Sequence, residues 1–399
     1  MRVAIIAGPY LPIPPLMYGG TERVIANLVK GLKEAGHEPV LFGPGDSKPG
    51  CPVIPIVDKH IFFPRTAAGL PAFQKEIKRI HKYTHKLLKE NLNGIDIIHS
   101  HDIDLEGFED FPNLTTIHGP ITFKQLEYYT KRTGLYFASI SKNQQEAYPA
   151  LQWVGAVYNG DDPKKFPIIT RPENYVCFVS RFDREKNPHL AIELAINYGI
   201  KIKLAGKIDF LGDDYFKTEI KPYFKHPLVE YLGEIPQKEK IKLVGRAKLN
   251  LHPTGFREPF GLTVLEAAYC GTPTMAITRG SMPELIEEGR TGLLVEDFVE
   301  GYHQIEECFA MDREYIAKRA RKLFNYQVMT KQYLRAYKKI LRIYEIRERE
   351  ERKIERITDK SKRELETIWE RDAQDRIIPG KKLVETTKRL TKPVKFRGE

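Results

Sequence analysis

Two glutamates carry the clearest chemical signal in this chain. Glu258 and Glu266 begin and end the run Glu-Pro-Phe-Gly-Leu-Thr-Val-Leu-Glu, with seven residues between them. Prolines and glycines surround Glu258, which predicts a loop, whereas the segment from Leu262 to Tyr269, which contains Glu266, favours helix. A loop carboxylate and a helix carboxylate can therefore face one cleft at a helix N-terminus. Carboxylates accept hydrogen bonds from hydroxyl groups, and the free amides of a helix start bind phosphate, so the pair suits a sugar nucleotide.

The spacing of the two glutamates is a weak signal when it stands alone, because such pairs are also common on solvated surfaces. Its surroundings strengthen it: Pro259, Phe260 and Gly261 follow the first glutamate, and Gly271-Thr272-Pro273 follows the helical segment. The other motifs of the chain are therefore needed to distinguish a ligand-binding site from a solvated surface.

A second loop of interest lies near the N-terminus, where Gly19 and Gly20 precede a helical pattern from Thr21 to Ala35. Two glycines let the backbone approach a phosphate or sugar closely, and Thr21 can cap the helix. The chain contains no G-x-G-x-x-G and no G-K-S/T, which excludes a nicotinamide fingerprint and a P-loop. An ordinary tight turn would have the same composition.

Histidines follow two predicted strands of the N-terminal half. His118 comes at the carboxyl end of the strand that starts at Leu114, and His99 and His101 end an earlier strand in the same way, with Asp102 next. Strand carboxyl ends meet at one edge of a parallel sheet, so these side chains can line a cleft. A single histidine at such a position is also often structural.

Two cations follow the first predicted strand of the second half. Arg181 and Lys186 lie in a strand-to-helix loop, from which both can reach a diphosphate and match the charge that a departing nucleotide develops. Taken alone, the two side chains could equally be surface charge. Asn187 follows Lys186, and we interpret it as a helix cap.

Strand and helix signals alternate along most of the chain, which predicts parallel sheets covered by helices on both faces. The predicted strands are 3–7, 39–42, 95–99, 114–118, 136–140, 154–158, 175–180, 201–205, 229–232, 249–252, 274–277 and 293–295. The clearest helices are 21–35, 189–197, 238–246 and 262–269. A stretch rich in proline and glycine, 159–174, is the best linker between two α/β domains, whose facing strand ends would form the ligand cleft.

In their order and spacing these motifs resemble the retaining glycosyltransferases of family GT4, over about residues 1–344. The resemblance implies an α/β fold of the GT-B type, with two Rossmann-like domains facing across a cleft. It implies an acceptor-side domain at 1–160 and a nucleotide-sugar donor domain at 161–330. Separately, a helical stripe runs from Tyr333 through Tyr337, Ile340, Leu341 and Tyr344, and dense charges follow it, which predicts a charged, mainly helical extension at 331–399. The family usually has glycine where this chain has Asn187.

The resemblance also implies the reaction: a hexosyltransferase that moves a sugar from a nucleotide sugar to an unidentified acceptor with retention of configuration. Arg181 and Lys186 would neutralise the leaving diphosphate, so no metal and no cofactor beyond the donor substrate are expected. Glu258 would hold hydroxyls of the donor sugar and His118 would support the sugar near the anomeric carbon, which makes these four residues the expected catalytic set.

Further contacts to the donor follow from the same resemblance. Glu266 would bind the ribose, and the backbone would contribute at Gly19, Gly20, Phe260, Gly261 and Leu262. Asn159 and Asp162 would shape the cleft, and Glu284 would hold a loop near the nucleotide. A GT-B epimerase of sugar nucleotides or a glycan phosphorylase is the enzymatic alternative.

Length and charge bound the remaining possibilities. The 399 residues suffice for two domains and an appendage. The net charge is +11, and from Arg376 to Glu399 eight basic residues stand against two acidic ones. Such a segment is usually a solvated tail, and peripheral contact with an anionic membrane is the alternative. Few aromatic residues accompany these charges, so a nucleic-acid partner is not expected.

Cysteine usage and hydropathy indicate the compartment. The four cysteines are scattered without the spacing of a zinc site or a disulfide framework, which suits a reducing cytoplasm. Gly8 and Pro9 interrupt the first apolar segment, so we expect a buried strand there instead of a signal peptide. We expect a cytoplasmic protein, with contact at the inner membrane face through the tail as a variant; the oligomeric state is left open.

Overall fold

The computed structural model describes residues 1–17, 19–62, 64, 67–208 and 213–375. The chain divides into two compact units, Met1–Ile340 and Leu341–Glu399. The first unit contains both sheets and all the predicted site residues. The basic stretch from Arg376 to Glu399, for which the sequence predicts a solvated tail or a membrane contact, lies outside the described residues.

The first sheet, in what we term the N-terminal lobe, has seven parallel strands. They are β1 (Arg2–Ile6), β2 (Glu38–Pro44), β3 (Val53–Val57), β4 (Ile97–Ser100), β5 (Asn113–Ile117), β6 (Phe137–Ser139) and β7 (Trp153–Ala156). Their order across the sheet is β3-β2-β1-β4-β5-β6-β7. This is the order of a doubly wound Rossmann sheet with one strand added.

The second sheet, in the C-terminal lobe, has six parallel strands. They are β8 (Tyr175–Val179), β9 (Lys201–Ala205), β10 (Val229–Tyr231), β11 (Leu249–His252), β12 (Thr274–Ile277) and β13 (Gly292–Val295). The order β10-β9-β8-β11-β12-β13 repeats the Rossmann arrangement. Two Rossmann-like lobes in series are therefore present, as the strand and helix pattern predicts.

Helices cover the sheets and connect their strands. They are α1 (Gly20–Glu34), α2 (Leu70–Glu90), α3 (Phe123–Thr130), α4 (Lys142–Ala147), α5 (Pro188–Tyr198), α6 (Asp213–Tyr215), α7 (Gln237–Arg246), α8 (Leu262–Tyr269), α9 (Met282–Leu285), α10 (Ile305–Phe309), α11 (Arg313–Leu323) and α12 (Tyr326–Asp375). In α1, Val24, Leu28 and Leu32 form a buried face, as their spacing predicts.

Burial explains why the strands could be predicted. All five residues of β8 are buried, and in β1 only Arg2 is exposed. Strands of a parallel sheet are covered on both faces and are therefore continuous apolar runs. The predicted strands and the four clearest helices are all present with ends within two residues of those expected. The sequence did not predict β3 or the helices α2, α3, α4, α6, α9, α10 and α11.

Both sheets reverse their strand order beside their first strand. β1 lies between β2 and β4, and β8 lies between β9 and β11. Ligands of open parallel sheets bind outside the strand carboxyl ends at such a reversal. In the N-terminal lobe this edge leads to Gly8 and Asp102, and in the C-terminal lobe to Arg181 and the loop of Glu258.

Two crossing segments join the lobes within the first unit. Asp161 pairs with Asn325 in an isolated parallel bridge, and its N–H donates to the Tyr269 hydroxyl at 3.0 Å. A Cβ on Gly160 would lie 2.4 Å from the Asn325 carbonyl oxygen, so the segments approach too closely for a larger residue. Asn27 of α1 donates to the Asp161 carboxylate at 2.9 Å. The start of the predicted linker is thus anchored to both lobes.

The last helix, α12, contributes to the N-terminal lobe before it leaves the first unit. Tyr333, Tyr337 and Ile340 are fully buried, as the helical stripe predicts. In the second unit the helix continues to Asp375, and its apolar residues Ile354 and Ile357 are exposed. No helix in the described part of the chain is both long and apolar enough to cross a membrane.

Candidate functional site

The turn into α8 forms the centre of the candidate site. Gly261 has φ +109°, a left-handed conformation that glycine adopts without strain. Phe260 is buried, and its carbonyl accepts a hydrogen bond from the Ser281 hydroxyl. Leu262 begins α8 as predicted, and the first amides of a helix have no partner within it. The backbone predicted to face phosphate is thus a well-anchored helix start.

Glu258 is held between two basic side chains. Its Oε1 accepts from Nζ of Lys186 at 2.8 Å, and its Oε2 lies 2.8 Å from Nε2 of His252. The Lys186 side chain is itself buried, with Nζ 4.6 Å above the centre of the Phe256 ring. Glu258 lies in the loop between β11 and α8, and Lys186 lies in the loop between β8 and α5. Residues of two different strand-to-helix loops therefore form one charged cluster.

The partners of Glu258 determine its protonation. Burial alone raises the pKa of this carboxyl, but the charge of His252 and the hydrogen bonds from His252 and Lys186 outweigh burial, and its pKa lies well below its ordinary value. Glu258 is therefore an ionised hydrogen-bond acceptor. It is not a proton donor at neutral pH.

Glu266 has one satisfied and one unsatisfied carboxylate oxygen. Its Oε1 accepts from Nζ of Lys240 at 2.8 Å and from Nε2 of Gln237 at 2.9 Å, both on α7. Its Oε2 is buried and has no hydrogen-bond partner among the described residues. A buried acceptor without a partner is costly in the free protein, so this oxygen is suited to receive a donor from a ligand.

The loop after β8 positions Arg181 and Lys186. Asp183 accepts the backbone N–H of Lys186 at 3.0 Å, and its other oxygen lies 3.4 Å from the Arg181 guanidinium. Asn187 is the N-cap residue of α5, as predicted, but its side chain makes no capping hydrogen bond and donates to the Pro253 carbonyl at 2.9 Å instead. Its φ of +48° explains why glycine or asparagine suits this position.

The start of α1 faces the start of α8. The N-cap residue of α1 is Gly19, so Thr21 lies inside the helix, and its predicted capping role is wrong. A Cβ on Gly20 would lie 2.7 Å from Cδ1 of Leu262, which shows how closely the two lobes approach here. Both helix N-termini carry partial positive charge, so the space beside them favours an anion.

Three histidines lie together at the edge of the N-terminal sheet. His118 Nε2 is 2.8 Å from His101 Nδ1, and the rings of His101 and His99 have centroids 4.1 Å apart. His99 bonds to Tyr337 and Thr116 instead. Burial lowers the pKa of His118 to about 4, and burial also holds the pKa values of His99 and His101 well below their ordinary range. All three rings are therefore neutral at pH 7.

Two carboxyl groups accompany these histidines. Oδ2 of Asp102 lies 2.7 Å from the position that a Cβ on Gly8 would take. The side chain of Asp102 is exposed, yet desolvation by the surrounding protein raises its pKa to about 6. Burial, together with the charge of Asp102, also raises the pKa of Glu22 near the start of α1. The N-terminal lobe thus brings acidic groups to the site, whereas the C-terminal lobe brings Lys186 and Arg181.

The structure brings some predicted residues into direct contact and gives others separate partners. Lys186 contacts Glu258, and Gly20 approaches Leu262. Sequence reasoning did not find His252, Gln237, Lys240 and Glu22. His252 ends the predicted strand 249–252, and Lys240 and Gln237 lie about one helical turn apart on a predicted helix. A histidine at a strand end and polar residues at helical spacing are both common, so neither pattern identified a site.

No group of three or more His, Cys, Asp or Glu suited to a metal ion occurs among the residues that the structure describes.

Two Rossmann-like lobes, with a basic and carboxylate cluster at a helix start where they meet, define the architecture of a GT-B transferase. Two family models match the chain: glycosyl transferases group 1 over residues 161–322, and Glycosyltransferase Family 4 over residues 18–156. The chain belongs to this glycosyltransferase family, as the sequence motifs indicate, and it is an enzyme.

Individual relatives agree with this assignment. Glycogen synthase of Mycobacterium tuberculosis is 25% identical over 344 residues, which cover 73% of this chain and 82% of that protein. Sucrose-phosphate synthase from Thermosynechococcus elongatus has the same fold, with a TM-score of 0.68 at 18% identity over 86% of this chain and 99% of that one. HepE of Anabaena, solved in complex with UDP-glucose, has a TM-score of 0.61 at 18% identity, over 83% and 98% of the respective chains. These likenesses confirm the predicted GT-B fold.

Proposed function

We propose that this glycosyltransferase moves a sugar from a nucleotide-sugar donor to an acceptor with retention of configuration and without a metal. The observation that carries the proposal is the Lys186–Glu258 pair, 2.8 Å apart beside the start of α8. It brings a cation for phosphate and an acceptor for hydroxyls to one helix N-terminus, which itself attracts an anion.

Charge balance at the diphosphate is the first part of the reaction. Departure of the nucleotide places negative charge on its terminal phosphate, and positioned cations and amides stabilise such charge without reorganisation. Lys186 is buried and partly neutralised by Glu258, and Arg181 lies in the same loop. We assign both cations, with the backbone amides of Phe260, Gly261 and Leu262 and the turn at Gly19 and Gly20, to the diphosphate.

Recognition of the two sugars is the second part. Glu258 is ionised and anchored by Lys186 and His252, so it can hold hydroxyls of the transferred sugar. The unpartnered Oε2 of Glu266 suits a ribose hydroxyl, while Lys240 and Gln237 fix Oε1. Glu266 therefore contacts the ribose with one oxygen and the protein with the other.

We assign no enzymatic nucleophile to the reaction, although the configuration of the transferred sugar is retained. Glu258 bonds to two basic groups, and such a carboxylate is a weak nucleophile but a strong electrostatic stabiliser. Positioning of donor and acceptor, together with exclusion of water between the lobes, would then provide most of the rate enhancement. His118 supports the sugar from the opposite lobe.

The comparisons support the donor class. HepE was solved with UDP-glucose, and a relative over most of the chain is named glycogen synthase. The acceptor lies on the side of Asp102 and Glu22. All four cysteines are free thiols, as is usual in a reducing compartment, and we propose that the reaction takes place in the cytoplasm.

A thermal-shift screen against UDP-, GDP- and ADP-sugars identifies the donor, and hydrolysis or transfer of that donor then tests the site. We expect Lys186→Ala and Glu258→Ala each to lower kcat by about 10²–10³-fold, since each removes a positioned charge. Lys318→Ala, on an exposed helix face, is the matched control and should retain wild-type kcat. Near-normal kcat in both site variants would refute the site assignment.

Two further measurements separate the alternatives. EDTA should leave activity intact, and a strict requirement for added Mg²⁺ or Mn²⁺ would contradict the role of the two cations. Consumption of free phosphate would indicate a phosphorylase, and isomerisation of the donor without an acceptor would indicate an epimerase.

A further inference from the structure

His101 and His118 share a single hydrogen bond, and its direction can be deduced. Nε2 of His118 lies 2.8 Å from Nδ1 of His101, and the two rings are stacked at an interplanar angle of 26°. Each neutral imidazole carries one N–H and one bare nitrogen. One ring must therefore donate and the other accept, and the direction determines which nitrogen of His118 is left with a proton.

The surroundings of His101 decide between the two directions. Its Nε2 is buried and has no hydrogen-bond partner among the described residues. If His118 donated, His101 would carry its proton on Nε2, as a buried N–H without an acceptor. If His101 donates from Nδ1, only a lone pair is left unpaired. Orphaned buried N–H groups are rarer than under-satisfied acceptors, so donation from His101 is favoured.

His99 does not change this result, because both of its nitrogens are occupied. Nδ1 lies 2.7 Å from the Tyr337 hydroxyl, and Nε2 lies 2.8 Å from the Thr116 hydroxyl, which donates to Tyr333 at 3.1 Å. His99 therefore donates to Thr116 and stacks on His101 without bonding to it. The low pKa values of the three rings keep one proton on each.

We propose that His101 is a positioning residue that holds His118 in the Nδ1–H tautomer, so that His118 meets the substrate as a neutral N–H donor and not as a base. Nδ1 of His118 makes no hydrogen bond to the described residues, and the side chain is only partly buried. Its ligand chemistry is then an acceptor oxygen, such as a sugar hydroxyl or a phosphate oxygen. The contact with substrate rests on the proposed function, whereas the tautomer does not.

The tautomer is measured directly in the ligand-free protein. Long-range ¹H–¹⁵N spectra of protein labelled with ¹⁵N-histidine report which ring nitrogen carries the proton, and His118→Asn assigns the signals of His118. We expect a protonated Nδ1 and a bare Nε2 in the wild type. In His101→Leu the bond that sets the tautomer is lost, and the proton should move toward Nε2. Protonation of His118 on Nε2 in the wild type overturns the proposal.

Kinetics test whether the tautomer matters for transfer. His101→Leu should lower kcat about fivefold to tenfold, as expected for one lost hydrogen bond of about 1 kcal/mol, with a smaller change in KM for the nucleotide sugar. His101→Asn retains an N–H donor near the position of Nδ1 and should restore much of kcat. A wild-type kcat in His101→Leu also overturns the proposal. Failure of the wild type to transfer sugar would instead contradict the proposed function, and the spectra would still test the tautomer.

Discussion

Glu284 of the C-terminal lobe accepts the backbone N–H of Lys142 in the N-terminal lobe at 2.9 Å. The same carboxylate accepts the N–H of Asn143 at 2.8 Å and the hydroxyl of Tyr158 at 2.6 Å. One acidic side chain on α9 therefore satisfies two orphan amides at the start of α4. The motif resemblance implies that Glu284 holds a loop near the nucleotide; the structure makes it a link between the lobes.

Replacement of Glu284 by alanine should loosen this link. The variant loses three hydrogen bonds to a carboxylate and leaves two helix amides without acceptors, a cost of about 2 kcal/mol. We expect hydrogen exchange in the peptide that contains Lys142 and Asn143 to accelerate more than tenfold. Glu307→Ala, an exposed carboxylate on α10, is the matched control and should leave this peptide unchanged. Equal exchange in Glu284→Ala and the wild type would contradict the link.

Gly280 packs directly against the backbone of Glu258. Its φ is +60°, and an added Cβ would lie 2.5 Å from the backbone nitrogen and 2.4 Å from the carbonyl oxygen of Glu258. Ser281 also donates its N–H to that carbonyl at 3.0 Å. The carboxylate cluster of the candidate site therefore depends on a glycine outside the Glu258–Glu266 run.

Gly280→Ala should lower the free energy of unfolding through both backbone strain and overpacking, whereas Gly289→Ala should lower it through backbone strain alone. Gly289 has φ +71° but no atoms near its would-be Cβ, so alanine there costs about 1–2 kcal/mol of left-handed strain. At Gly280 overpacking adds about 1–3 kcal/mol and displaces Glu258. We expect Gly280→Ala to lose most activity and several degrees of Tm, and Gly289→Ala to retain its activity. Similar activities in the two variants would indicate that Gly280 does not hold the site.

The sequence predicts the sheets well because their strands are buried on both faces. Continuous apolar runs such as Tyr175–Val179 leave little choice of structure. The strand β3, Val53–Val57, escaped prediction because it is only partly buried and contains Pro55, which is atypical of a strand. Edge position alone does not explain this failure, because the edge strands β7, β10 and β13 were predicted.

The candidate site is predictable only as far as its motifs extend. Glu258, Glu266 and Lys186 belong to motifs with recognisable order, so they could be named from the sequence. Their partners come from other segments: His252 from a strand end, and Lys240 from the helix before it. Such pairings depend on the tertiary fold, and a lone histidine or lysine is too common in sequences to identify a site. The capping error at Thr21 and the absence of a side-chain cap at Asn187 have the same cause, because backbone conformation is not visible in the residue type.

Asp102, in the N-terminal lobe, gives the protein a predicted pH dependence of its stability. Its pKa is raised from 3.8 to about 6, because the surrounding protein disfavours the charged form. The folded state therefore binds a proton more tightly than the unfolded state, and stability is lost as the pH rises from about 4 to about 6. Above this window Asp102 is ionised at a cost, and removal of its charge should stabilise the fold.

Asp102→Asn should therefore raise Tm at pH 8 by about 1–2 °C, and this gain should disappear at pH 4, where the carboxyl is protonated in the folded protein. Asp58→Asn, at an exposed position after β3, is the matched control and should show no comparable pH-dependent gain. The measurement is thermal unfolding of the three proteins at pH 4, 6 and 8. A gain for Asp102→Asn that is equal at pH 4 and pH 8 would reflect packing, and it would contradict a carboxyl that titrates near pH 6 beside the site.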